Sequence, residues 1–134
     1  MKLAYPAVFT PYEDGTEGYA VEFPDLPGCV TGGDTMAEAI LMAQDAAGGW
    51  VLTELEEGKD IPPAGVPDTI HLTGGQFVSL VAVDMDSYAA KYGKGAVKKT
   101  LTIPAWMNTF VEKNGISCSK VLQDALGKMV LPKR

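Results

Sequence analysis

The 134-residue chain has almost no histidine, and His71 is the only one. Histidine-dependent triads and multi-histidine metal sites therefore lose most of their plausibility, and His71 reads as incidental. Cysteine is nearly as scarce. Cys29 and Cys118 lie far apart in sequence and are too few for a disulfide framework. Neither has a Cys or His neighbour at zinc-finger spacing. No run reaches the roughly 18 consecutive apolar residues that a membrane-spanning helix needs. The N-terminal MKLAYPAVF also lacks the long apolar core of a secretion signal, so a cytoplasmic location is expected. What the chain does have is core-forming material. Hydrophobic residues are 46% and charged residues 21%, which suits one folded domain or two small ones rather than a disordered chain.

Basic residues are scarce too, but only in the front. Residues 1–93 carry three lysines against fifteen Asp and Glu, a net −12. Residues 94–134 carry eight Lys and Arg against Glu112 and Asp124, a net +6. Such a division points to two partners, one rich in cations and one polyanionic; uneven surface chemistry is the plainer alternative.

The front alternates with the period of a strand. Leu3, Tyr5, Ala7 and Phe9 share one parity, and after the turn-rich stretch Pro11 to Gly18 the pattern resumes at Tyr19, Val21 and Phe23. Pro24 to Gly28 breaks the second strand, and a short third one is predicted at Cys29–Thr31, ended by Gly32-Gly33-Asp34. Thr35 with Glu38 three residues on forms a capping-box pattern, predicting a helix from Met36 to about Glu57 with Ile40, Ala43, Ala47 and Trp50 on its inner face. Gly48-Gly49 is costly there, at about 1 kcal/mol per glycine relative to alanine, and indicates close packing or a kink. Residues 58–75 read as a loop and Phe77 to Val83 as a fourth strand. The order β-β-β-α-β predicts an α+β layer of one sheet and one helix.

The tail follows a different grammar. Residues 84–95 read as a connection, Val97 to Ile103 as a short strand halted by Pro104, and Ala105 to Asn114 as a helix with Gly115 at its C′ position. Trp106, Met107, Phe110 and Val111 form that helix's apolar side. Ser117 is a fit N-cap for a second helix carrying Leu122, Ala125, Leu126 and Met129 at helical spacing. One strand and two short helices cannot bury their own apolar surface, so the tail needs a second copy. The segment VKKTLTIPAWMNTFVEKNGISCSKVLQDAL resembles the ribbon–helix–helix family, in which two such strands pair antiparallel and lie in the DNA major groove. The resemblance implies a homodimer through residues 97–134. Strand parity turns Leu101 and Ile103 inward and leaves Lys98, Thr100 and Thr102 outward, at the family's base-reading positions; a merely solvated strand face is the alternative. Lys99 departs from the usual apolar residue and requires its stem to snorkel. The amides of Ser117, Cys118 and Ser119 open the second helix and suit a phosphate, although Ser117 also serves as a plain cap. Cys118, at a helix N-terminus, is also open to oxidation.

The front has a resemblance as well. YPAVFTPYEDGTEGYAVEFPDLPGCVTGGDTMAEAI is similar to the N-terminal domain of HicB antitoxins, which implies a partial RNase H-like fold. The join to the tail is similar to that family too, although Ala46-Ala47-Gly48-Gly49-Trp50 stands where longer residues are usual. Implied boundaries are an acidic toxin-binding domain over 1–84, a linker over 85–96 and a DNA-binding domain over 97–134. Implied function is an antitoxin that blocks a small basic, mRNA-cleaving HicA-like toxin and represses its own operon. The dimer is expected, with tetramers formed through the front domains. Glu13, Asp14 and Glu17 are the candidate toxin contacts, as acidic surface residues; simple solvation is the alternative. Two rivals stay open. A metal-dependent nuclease would have only Glu22, Asp25, Asp84 and Asp86 to hold magnesium, and no distributed acidic set appears, so no catalytic residue, metal or cofactor is assigned. A stand-alone transcription regulator with a ligand-sensing or oligomerising front is the other.

Overall fold

The computed structural model describes residues 1–132; the last two residues of the basic tail, Lys133 and Arg134, lie outside the described residues. Its front is a four-stranded antiparallel sheet. Strands β1 (Lys2–Pro11), β2 (Tyr19–Glu22), β3 (Val30–Gly33) and β4 (Phe77–Asp84) lie in the order β3-β2-β1-β4, and α1 (Met36–Glu56) packs on one face. The alternation in sequence maps directly onto the two faces. Tyr5, Ala7 and Phe9 of β1, Val21 of β2, Phe23 just beyond it, and Val81 and Val83 of β4 are buried beneath α1. The opposite face stays largely open, with Val30 and Leu80 exposed. Pro6 sits mid-strand without breaking the sheet. Gln44 Nε2 donates to the Ala82 carbonyl at 3.0 Å, so that carbonyl, and by alternation Leu80's, points away from β1. Pro6 pairs with Leu80, and its missing N–H therefore faces the β2 side, where β2 pairs only from Val8 onward.

Helix α1 begins as its capping residues predict: Thr35 Oγ1 accepts from the Glu38 amide at 3.1 Å. Its buried stripe is Ala39, Ala43, Ala47 and Val51, one residue per turn. This corrects the expected inner face by a small rotation, since Ile40 is exposed and Trp50 is half-buried. Alanines serve because the bulk comes from the sheet, where Phe9 stacks on Phe77 with ring centroids 5.1 Å apart.

Glycines set how closely the layers approach. Gly32 and Gly33 were expected to end β3 but belong to it. A Cβ on Gly33 would fall 2.4 Å from the Ala39 amide nitrogen, so α1's backbone rests directly on that strand. Gly33→Ala is expected to destabilise the front by about 1–3 kcal/mol through forced displacement of the helix, read from the shift in its urea unfolding midpoint. Gly48 has a different neighbour: its Cβ would lie 2.6 Å from the Tyr88 ring. Close approach, not a kink, accounts for the glycine pair, and α1 runs unbroken through it.

Tyr88 belongs to a helix the sequence reading missed. Met85–Tyr92 forms α2, where a connection over 84–95 and a linker over 85–96 were expected. Asp84 caps it, its Oδ1 accepting from the amides of Asp86 (3.1 Å) and Ser87 (3.3 Å), and Met85 joins the core. Residues 58–75 form the expected loop, pinned where Tyr5 Oη donates to the Pro62 carbonyl at 2.7 Å and Gly65 N–H donates to Asp25 at 2.8 Å. Beyond α2, α3 (Ala105–Asn114) and α4 (Cys118–Val130) match the predicted helices, separated by Gly115 in the left-handed region (φ 62°). Residues 97–103 form no strand, contrary to expectation, because a strand exists only with a ladder partner and the single chain offers none.

Candidate functional site

Two surfaces concentrate the candidate residues, one at each end of the charge division. The tail surface is the more structured. Val97, Lys99, Leu101 and Ile103 all line one groove of about 520 Å³, together with Leu122 and Leu126 of α4. Lys98, Thr100 and Thr102 are absent from that lining and are exposed. Alternate residues of this segment thus line the groove, although the segment is not a strand. Lys99 lies with the groove residues, whose lining also includes the polar Asn108, Ser119 and Gln123.

No residue of α3 or α4 is buried. Trp106 is 69% exposed, Phe110 57% and Met129 75%, a density of bare apolar side chains that a folded domain does not leave in water without a partner. Ser117 caps α4, its Oγ accepting from the Lys120 amide at 3.3 Å. The amides of Cys118 and Ser119 fall in the first turn, where no intrahelical acceptor exists. Both residues also line the groove, with Cys118 exposed.

The acidic candidates Glu13, Asp14 and Glu17 come together at the tip of the β1–β2 hairpin, all exposed. The hairpin closes through the Tyr12 amide donating to the Gly18 carbonyl at 3.0 Å. Asp14 accepts from Thr16 Oγ1 (2.6 Å) and Thr16 N–H (3.0 Å), and these bonds hold its carboxyl below the ordinary aspartate value. The tip is thus a charged, locally ordered loop.

Three of the four carboxylates considered for a metal make structural contacts. Asp25 anchors Gly65, Asp84 caps α2, and Asp86 accepts from the N-terminal amine at 2.6 Å. Glu22 is exposed on the open face of the sheet. Among the described residues no group of three His, Cys, Asp or Glu side chains could hold a metal ion. Asp84's carboxyl sits below its ordinary value, chiefly through the Ser87 amide bond. A depressed folded value means the cap stabilises above the unfolded carboxyl's range and is lost as pH falls through the folded one. Asp84→Ala is accordingly expected to lower the urea midpoint at pH 7, and the gap to the parent chain should shrink at a pH acid enough to protonate Asp84.

A third surface was missed in sequence. Between α1 and the Gly28-Cys29-Val30 segment, bordered by Tyr88 of α2, lies a groove of about 480 Å³ whose lining includes Asp45, Gly49, Trp50 and Glu54. Asp84 preceding Met85, with Asp86 in the first turn, was the available signal for α2 and hence for this groove.

Comparison with known proteins covers both ends of the chain. A family model described as the HicB-like antitoxin of bacterial toxin–antitoxin systems matches residues 5–126. The uncharacterized 14.9 kDa protein of the rep-hol intergenic region of Haemophilus phage HP1 is 32% identical over 97 residues, 69% of either chain. Antitoxin HicB 2 of Photorhabdus laumondii is 52% identical over 44 residues, which is 33% of this chain and only 30% of that antitoxin. Among solved structures, a chain of a toxin–antitoxin complex from Streptococcus pneumoniae superposes with a TM-score of 0.62 at 28% identity, covering 96% of this chain and 99% of that one. A chain of the HicA3 and HicB3 toxin–antitoxin complex gives 0.51 at 25% identity, over 61% of this chain and 99% of that one. No helix among the described residues is long and apolar enough to cross a membrane.

Proposed function

Because the chain belongs to the HicB-like antitoxin family of bacterial toxin–antitoxin systems, we propose that it neutralises a small basic, mRNA-cleaving toxin of the HicA kind and represses its own operon. The front, residues 1–92 once α2 is counted with it, is the toxin-binding unit on a partial RNase H-like fold. Its net charge suits a basic protein, and two structural neighbours of the chain come from toxin–antitoxin complexes. Glu13, Asp14 and Glu17 offer a charged hairpin tip to that partner.

The tail is a ribbon–helix–helix unit that forms a homodimer and binds operator DNA. One observation carries this reading: Val97, Lys99, Leu101 and Ile103 line a groove with α4 while Lys98, Thr100 and Thr102 do not, on a tail whose two helices bury no residue. A second copy supplies the missing ladder and covers Leu101, Ile103, Trp106 and Phe110. Pairing then leaves Lys98, Thr100 and Thr102 facing out, where lysine donates to guanine edges and threonine reads an edge or a thymine methyl. The first-turn amides of α4 are placed to take a backbone phosphate.

Binding to the chain's own promoter DNA across salt concentrations tests the tail. Thr100→Ala and Thr102→Ala should each cost about 1–3 kcal/mol on the operator with little change on unrelated DNA. Lys98→Ala should also flatten the salt dependence by roughly one unit. Parental operator affinity in a folded, dimeric triple-alanine variant would remove DNA reading from this strand.

A further inference from the structure

We propose that the outer edge of β4 pairs antiparallel with the β4 edge of a second copy of this chain, centred on Leu80, so that two four-stranded sheets join into one. β4 bonds to β1 through its odd-numbered residues, so the N–H and C=O groups of Val78, Leu80 and Ala82 face outward. Among the described residues only side chains reach these groups: Gln44 Nε2 donates to the Ala82 carbonyl at 3.0 Å, and Ser79 Oγ to the Leu80 carbonyl at 3.3 Å. Nothing blunts this edge in the ways that keep edge strands single. Phe77 to Val83 holds no charge and no proline, and its register with β1 runs without a bulge. The other edge, β3, is only four residues long. Helix α1 leaves the same side bare. Ile40 and Leu41 lie one turn before Gln44, on the flank of α1 that reaches β4, and both are exposed, as is Leu80. Ile40 is the residue that the helical period turned inward, yet the single chain leaves it in water.

The chemistry of the edge names a second copy as its occupant. Antiparallel pairing of one strand with itself is self-complementary about a two-fold axis. With Leu80 on the axis, its N–H and C=O bond to those of the copy's Leu80, and Val78 pairs with the copy's Ala82. A carbonyl has two lone pairs, so Ala82 keeps Gln44 while accepting from the copy. The two Leu80 side chains then face each other on one side of the seam, and Ile40 and Leu41 of both helices flank its other side. Val78, Leu80, Ala82, Ile40, Leu41 and Gln44 carry no charge, in a front whose net is −12. A basic protein finds nothing here for its cations, whereas a second acidic front meets this surface without setting carboxylates against each other. Front pairing of this kind needs neither the toxin nor the tail.

Cysteine cross-linking in the full chain tests the pairing. With Cys118→Ser, the remaining native cysteine, Cys29, is buried. Leu80→Cys should then form a covalent dimer under mild oxidation, because residues paired on the axis sit about 5.5 Å apart at Cα, within disulfide reach. Val30→Cys, on β3 and as exposed as Leu80 (65% against 61%), should not. Charge should also switch the pairing. The Leu101→Asp chain, its tail interface broken, should sediment as a dimer through its front. Adding Leu80→Lys should halve that mass, and an equimolar mixture with the Leu80→Glu counterpart should restore the dimer. An unchanged near-ultraviolet circular dichroism spectrum separates a lost interface from a folding defect. No cross-link at Leu80, equal cross-linking at Val30, or a front dimer that Leu80→Lys leaves intact would overturn the proposal. Loss of toxin capture by Leu80→Lys with the dimer unchanged would give the edge to the basic partner and overturn it too. Operator binding that survives Leu101→Asp would instead fault the tail reading, and the cross-link alone would then decide.

Discussion

Leu101→Asp or Ile103→Asp is expected to leave a chain that no longer dimerises through its tail and no longer binds its operator. Both residues line the groove against α4, and in the proposed dimer they would face a shared core. An aspartate there buries an unpaired charge, and two-fold pairing places two such charges in one core. Breaking buried pairing of this kind costs about 3–5 kcal/mol, enough to lower operator affinity by roughly a hundredfold or more. Sedimentation should show a monomeric tail, and circular dichroism should show loss of the α3 and α4 signal while the sheet persists. A dimer that still binds DNA would place the interface elsewhere.

The largest effect in the front is expected at Phe9. Its side chain is fully buried, stacked on Phe77 and edge-on to Tyr19 at 6.5 Å. Phe9→Ala removes this aromatic centre and should cost about 3–5 kcal/mol, a large share of what a small domain has. Denaturant unfolding followed by near-ultraviolet circular dichroism would measure it. Tail dimerisation should be unaffected, because Phe9 packs only within the sheet-and-helix layer.

How legible these features were depended on how local their causes are. The odd-numbered residues of β1 and β2 announced the buried face, since strand parity is fixed by covalent geometry. Thr35 with Glu38, and Ser117 followed by α4, marked helix starts because the cap is a contact over three residues. Residues 97–103 are different: alternate residues line the groove, but the strand expected from their parity is absent, and in the proposed dimer its ladder would come from a second chain. Helix α2 was hidden because its short polar sequence gives a weak period, and what holds it is a tertiary contact, Tyr88 on Gly48. For the same reason the glycine pair looked like a defect in α1. The groove of Trp50, Tyr88, Asp45 and Glu54 joins residues from two distant segments, so no spacing in the sequence announces it. Gly32 and Gly33 misled in the same way, since glycine signals a strand end locally and here serves close packing.

Inhibition of the toxin's mRNA cleavage by the Leu101→Asp variant tests the division between the two ends most directly. The account predicts that this variant, monomeric in its tail and unable to hold operator DNA, still captures the toxin through residues 1–92 and still suppresses cleavage in proportion to the amount added. Loss of inhibition by a variant whose sheet and α1 remain folded would contradict it, and would make the tail part of the toxin-binding unit.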